Sequence, residues 1–226
     1  MKRVNASASA PPDLTDLQRM AVTLDTRMPA GQPYALAVVS PRTGDGRTHM
    51  SAWLAVAFAV MGRSCILVDG DLRRPAVHTV FDLPLSPGVA DMLSGTVEVG
   101  CGHVMSGPGD LRVVTAGTVN PALPDPVSLW NPPVAGALFA RWRAEADVVI
   151  IDTPGALRHT DAQVIASQTE GCVLVGREGV SPLVELAATR DLMQAAGAQV
   201  MGCLYNRFGR RLTLREYFAW HAPRVD

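Results

Sequence analysis

The sequence predicts a doubly wound α/β protein, a mostly parallel sheet with helices on both faces. Three observations predict it. Short, continuously apolar runs recur along the chain, segments of helical length separate them, and polar turns carrying Gly or Asp follow several runs directly. Continuous apolarity is what a strand buried on both faces requires, and alternation with helices makes the strands parallel through crossover connections. Right-handed crossovers then place a ligand site at the C-terminal ends of the strands.

The elements follow in order. Residues 1–32 form an N-terminal extension that starts polar and Pro-rich. Its short helix places Leu14, Leu17, Met20, Ala21 and Leu24 on one face, with Asp13 or Thr15 available as a cap. The strand-like runs are 35–39, 65–68, 111–114, 147–151, 172–175 and 200–204, and helices are expected at about 47–62, 133–145, 159–168 and 181–197. Residues 33–207 therefore form one α/β domain by this reading, and 208–226 a basic, aromatic tail.

Bulk properties exclude several classes. A chain of 226 residues with 48% hydrophobic residues has ample material for a core. The formal net charge of -1, without a long basic run, argues against nucleic acid as a main partner. The apolar stretch Ala52–Met61 is far shorter than the ~20 residues a membrane-spanning helix needs. The four cysteines show no paired metal-ligand spacing, and Cys65, Cys172 and Cys203 lie in apolar runs, so reduced core thiols are expected. The five histidines form no metal-binding cluster either.

The segment Ser40-Pro41-Arg42-Thr43-Gly44-Asp45-Gly46-Arg47-Thr48 stands between a strand and a helix, the context of a phosphate loop. Its glycines let successive N–H groups turn inward, and the next helix adds its positive N-terminal end. Two positions depart from the G-x-x-x-x-G-K-[ST] pattern: Pro41 replaces the first glycine and Arg47 the lysine. On spacing alone an ordinary strand-to-helix turn fits equally well. Two further strand ends are acidic, Asp69-Gly70-Asp71 and Asp152-Thr153-Pro154. One such residue alone is most simply a cap or a solvated turn. Phosphate-type and magnesium-type residues at three strand ends in chain order point together to a nucleotide site.

These residues resemble the bacterial tyrosine kinases of capsule and exopolysaccharide export, a branch of the P-loop ATPases that includes the MinD and ParA proteins. The resemblance runs over residues 35–207. Its carriers are Ile66–Arg73, the continuation Arg73-Arg74-Pro75-Ala76-Val77-His78-Thr79-Val80-Phe81, Gly88–Gly95, Ala116-Gly117, Pro124–Leu129, Ile151–Pro154 with Asp161-Ala162, and Asn206-Arg207. It implies that Thr43, Gly44, Asp45, Gly46, Arg47 and Thr48 hold the phosphates of ATP or ADP, with Asn206 facing the adenine. It implies Mg2+ at Thr48, Asp71 and Asp152. Asp69 is implied as the base for an incoming tyrosine hydroxyl, with Arg47 and Asp71 completing the catalytic set. A positioning site of this kind suffices for phosphoryl transfer. The implied partner is a membrane-embedded polysaccharide chain-length regulator or co-polymerase, which would recruit a cytoplasmic protein to the inner face of the membrane, with a homo-oligomer or dimer as a further implied assembly. Two alternatives stand beside the kinase: a nucleotide-binding regulator of export without transfer, and a MinD/ParA-type ATPase.

Departures from that pattern mark where the alternatives gain. Arg47 keeps a positive charge but is bulkier than lysine. Arg42 is expected as a solvated loop charge. In the N-terminal helix Asp16, Arg19 and Val22 occupy a Glu-x-x-Arg-x-x-Arg pattern, with the second arginine absent. The chain has three tyrosines and no terminal cluster: Tyr34 and Tyr205 adjoin strands and are expected in the core, and Tyr217 stands in the tail.

Overall fold

The computed structural model describes residues 14–95, 102–106, 108–122 and 125–206. Asp13, Cys101, Pro124, Arg207, and the 208–226 tail with Tyr217 lie outside the described residues. Seven strands form one sheet: β1 (Tyr34–Val39), β2 (Ser64–Asp69), β3 (Gly102–Ser106), β4 (Asp110–Val114), β5 (Val148–Asp152), β6 (Gly171–Arg177) and β7 (Val200–Asn206). The helices are α1 (Leu14–Asp25), α2 (Arg47–Val60), α3 (Val77–Phe81), α4 (Val89–Leu93), α5 (Pro132–Glu145), α6 (Asp161–Ala166) and α7 (Leu183–Ala195), with a 3-10 turn over Pro126–Trp130.

The strand order is β3-β4-β2-β5-β1-β6-β7. All neighbours are parallel except β3, which runs antiparallel to β4. The doubly wound, mostly parallel sheet expected from the sequence is therefore what forms. Sequence patterning missed β3 because an edge strand is paired on one side only and needs no continuous apolar run. It also missed α3 and α4, each five residues long, too short to display a 3.6-residue period.

Alternation along each strand sends neighbouring side chains to opposite faces and builds two cores. Leu36 and Val38 of β1 join Leu67, Ile150 and Val175 under α2 and α1. Ala35, Ala37 and Val39 join Ile66, Val149 and Ile151 under α5 and α6, where Trp130 stacks on Phe139 at 6.2 Å and Trp142 meets Phe139 edge-on at 5.7 Å. Helix α2 is apolar almost all round because the sheet covers one side and α1 the other. Leu17, Ala21 and Leu24 are buried there, so the helix of the N-terminal extension packs as part of the core.

Two expectations are corrected at the last strand. Cys65, Cys172 and Tyr34 are buried, but Cys203 is exposed and Tyr205 is 53% exposed. Both lie on β7, the terminal strand of the sheet, where alternate residues face outward without a neighbouring layer. Among the described residues no helix is long and apolar enough to cross a membrane.

Candidate functional site at three strand ends

Strands β2, β5 and β1 are consecutive neighbours, so their C-terminal ends form one ledge. The register pairs Asp69 of β2 with Asp152 of β5, and Val38 of β1 with the same Asp152. Ser40, the first loop residue after β1, thus lies beside the acidic end of β5 and one strand further from that of β2, although these groups are dispersed over the sequence.

The loop Ser40–Thr48 is shaped by Gly44 and Gly46, whose φ values of +96° and +87° are left-handed conformations that side chains disfavour. Gly46 caps α2 with no side-chain hydrogen bond, leaving the first N–H groups of that helix available to an anion. Thr43 and Gly44 form the exposed crest. The buried Asp45 carboxylate faces the protein: it accepts from Ser181 Oγ at 2.7 Å and from the Arg42 N–H at 2.8 Å. Asn206 Nδ2 donates to the Asp45 carbonyl at 3.3 Å, and Arg177 Nη1 to the Gly44 carbonyl at 3.1 Å. Arg42 is paired with Glu185 on α7 rather than merely solvated. Asp45 and Asn206 therefore hold the shape of the loop, with Arg177 and Ser181 as further clamps. Sequence reading missed those two; the available signal was that Arg177 stands just past the apolar run 172–175, with Ser181 in the turn that follows.

Arg47 decides the electrostatics. Its side chain is 5% exposed and lies across the acidic strand ends. Nε donates to Asp152 Oδ1 at 3.2 Å, Nη2 to Asp71 Oδ2 at 3.0 Å and Nη1 to Ser40 Oγ at 2.7 Å. Ser51 Oγ also donates to Asp152 Oδ1 at 3.1 Å. The other Asp71 oxygen accepts from the Arg74 N–H at 3.0 Å. Burial is the largest influence on Asp152 and raises its pKa, against the lowering effect of Arg47. Asp152 Oδ2 is buried without a hydrogen-bond partner among the described residues.

Asp69 lies beneath this layer, fully buried. Its carboxylate accepts the N–H groups of Asp71, Ala76 and Val77, tying down the turn that follows β2. Burial first, then the neighbouring Asp152, pushes its pKa up to about 8 despite those backbone bonds. Between the usual carboxylate range and pH 8 the folded chain therefore holds a proton that the unfolded chain releases, so this group's contribution to stability declines as pH rises through that window. Thermal unfolding of the nucleotide-free protein is expected at higher temperature at pH 6 than at pH 8.5, with the difference reduced in Asp69→Asn. An unchanged difference in the variant would assign the pH dependence to other groups.

Arg73 completes the scaffold. Its guanidinium bonds both Asp161 oxygens, at 2.9–3.2 Å, and also Asp125. One side chain thereby ties the segment after β2 to the 3-10 turn and the start of α6.

Magnesium was expected at Thr48, Asp71 and Asp152. A hydroxyl and two carboxylates are the hard oxygen donors such an ion prefers, and the unpartnered Asp152 Oδ2 is a donor still free. However, the guanidinium already bridges Asp71 and Asp152. With Arg47 in this position a dication does not fit between those two carboxylates.

A phosphate-type loop at a helix start, flanked by acidic strand ends on a doubly wound sheet, defines a P-loop nucleotide-binding architecture. No family model matches the chain. The chain is 30% identical over 173 residues to CapB of Staphylococcus aureus, assigned to the tyrosine-protein kinases, covering 76% of this chain and 75% of CapB. It is 28% identical over 193 residues to the tyrosine-protein kinase YwqD of Bacillus subtilis, covering 85% of this chain and 79% of YwqD. The kinase domain of the Escherichia coli tyrosine kinase Etk superposes with a TM-score of 0.78 at 25% identity, over 88% of this chain and 77% of that domain. The MinD protein of Pyrococcus horikoshii shares the fold, with a TM-score of 0.64 at 24% identity, over 80% of this chain and 72% of MinD. The chain belongs to the bacterial tyrosine kinase family of the capsule and exopolysaccharide type.

Proposed function

We propose that this protein binds ATP or ADP at the loop Ser40–Thr48 and, in the ATP state, transfers the γ-phosphoryl group to a tyrosine hydroxyl. The observation that supports it best is the convergence of that loop with Asp69, Asp71 and Asp152 at three adjacent strand ends, on a chain of the tyrosine kinase family. The backbone N–H groups at the start of α2 and the Arg47 side chain supply positive potential for the phosphates. Asp69 is the carboxyl group assigned to take the hydroxyl proton, which it can do only in its ionised form, favoured above its raised pKa of about 8. A partner fits the family type: a membrane-embedded polysaccharide chain-length regulator that recruits this protein to the inner face of the membrane.

A second reading, a nucleotide-bound regulator without transfer, is favoured by two facts of the same site. Arg47 is committed to two carboxylates, and Asp69 is sealed from solvent. Incubation of the purified protein with γ-labelled ATP and magnesium, with and without Asp69→Ala, separates the readings. The kinase reading expects label on tyrosine that the substitution abolishes. Phosphate release without labelled protein would mark a MinD-type ATPase, and nucleotide binding with neither activity the regulator.

A further inference from the structure

We infer that Arg47 is the resident cation of the site, so that the protein takes its nucleoside di- or triphosphate without a divalent metal. The inference rests on the nucleotide-binding reading above and specifies the form of the ligand.

The argument begins with what a lysine at this position could not do. An ammonium is one point charge on a flexible stem, whereas a guanidinium is a planar fork with five N–H donors that never loses its charge. Here the fork is fully engaged along one side. Nε and Nη2 reach Asp152 and Asp71, and Nη1 reaches Ser40 at the mouth of the loop. Three of its five N–H donors are thus used on the protein. One side chain bridges the acidic strand ends and the phosphate loop, as a metal ion bridges carboxylates and phosphates in other nucleotide sites.

Burial makes this arrangement hard to share. Arg47, Asp71 and Asp152 are each at most 5% exposed on their side chains. A dication entering between the same carboxylates would meet a permanent positive charge within hydrogen-bonding range of both, in a medium that screens poorly. It would have to displace two ion pairs and the Ser40 bond, leaving the guanidinium buried and unpaired. The loop neighbours are also set: Ser40 Oγ, the acceptor from Arg47, itself donates to the Arg42 carbonyl at 2.9 Å. The position of the arginine is therefore built into the loop.

The experiment is isothermal titration of ADP and of ATP into the full chain, in millimolar magnesium and in EDTA. The wild-type protein is expected to bind each nucleotide with affinities that differ by less than threefold between the two conditions. Arg47→Lys is expected to lose at least tenfold in EDTA and to recover in magnesium. A wild-type affinity at least tenfold weaker in EDTA overturns the inference and returns Thr48, Asp71 and Asp152 to the role of metal ligands. A second readout needs no nucleotide. Magnesium should leave the melting temperature of the wild type unchanged and raise that of Arg47→Ala, in which the acidic ends have lost their cation; magnesium stabilisation of the wild type would count against the inference. Failure to bind nucleotide in either condition would instead sink the nucleotide-binding reading itself, so the two claims fail separately.

Discussion

Asp152→Ala is expected to lower the stability of the nucleotide-free protein by about 3–5 kcal/mol, the range found when one partner of a buried ion pair is removed. Asp152 sits at the end of β5 with no exposure, and its Oδ1 accepts from Arg47 and Ser51. Truncation leaves the Arg47 guanidinium with Asp71 as its single carboxylate partner and removes one of the two acceptors within reach of Ser51 Oγ, leaving it the Arg47 carbonyl. A buried charge whose partner is removed cannot be rescued by water at 5% exposure. Urea unfolding followed by circular dichroism measures the effect. A loss below 1 kcal/mol would mean that the guanidinium finds solvent or another partner, and that the network described at the strand ends is not what holds the site.

Gly88→Ala is expected to cost more than about 4 kcal/mol, or to prevent folding. The reason is space and not conformation, because the backbone at Gly88 is extended, with φ of -153°. A Cβ there would lie 2.1 Å from the Gly117 nitrogen and 2.2 Å from the Thr115 carbonyl oxygen, distances that no rotamer change relieves. The two segments are laced together by Val89 and Ala90 donating to Thr115 and Ala116, both at 2.8 Å, and by Gly117 donating to Leu85 at 2.9 Å. Separating them would break those bonds and expose Val89 and Leu93. Gly136→Ala in α5 is the matched control: an added Cβ meets nothing closer than 3.9 Å. Alanine there should be neutral or stabilising by about 0.5–1 kcal/mol. Equal stability of the two variants would refute the close approach at Gly88.

Both predictions concern contacts between residues far apart in the chain, and that separation divides what was legible in the sequence from what was not. The strands were legible because burial on both faces demands apolar side chains in succession, as in Val148–Ile151. The candidate site was legible because the pattern expected of a nucleotide site places glycines, acids and a cation at or just after the ends of such runs, as at Gly44, Asp69 and Asp152. The antiparallel β3 was not, since an edge strand carries no such demand. Nor was the exposure of Tyr205 and Cys203, which depends on β7 being the last strand rather than on its own apolar sequence.

The sequence by itself determined the α/β class, the phosphate loop and the acidic strand ends, because each is a local pattern enforced by burial or backbone geometry. Only the tertiary structure decided how those groups are used. The carboxylate of Asp45 faces Ser181 and holds the loop, and Asn206 braces its backbone. Arg47 reaches Asp71 and Asp152 because the sheet order sets β5 beside β1 and β2 next beyond β5. A side chain's charge is written in the sequence, but its partner is set by which strands become neighbours.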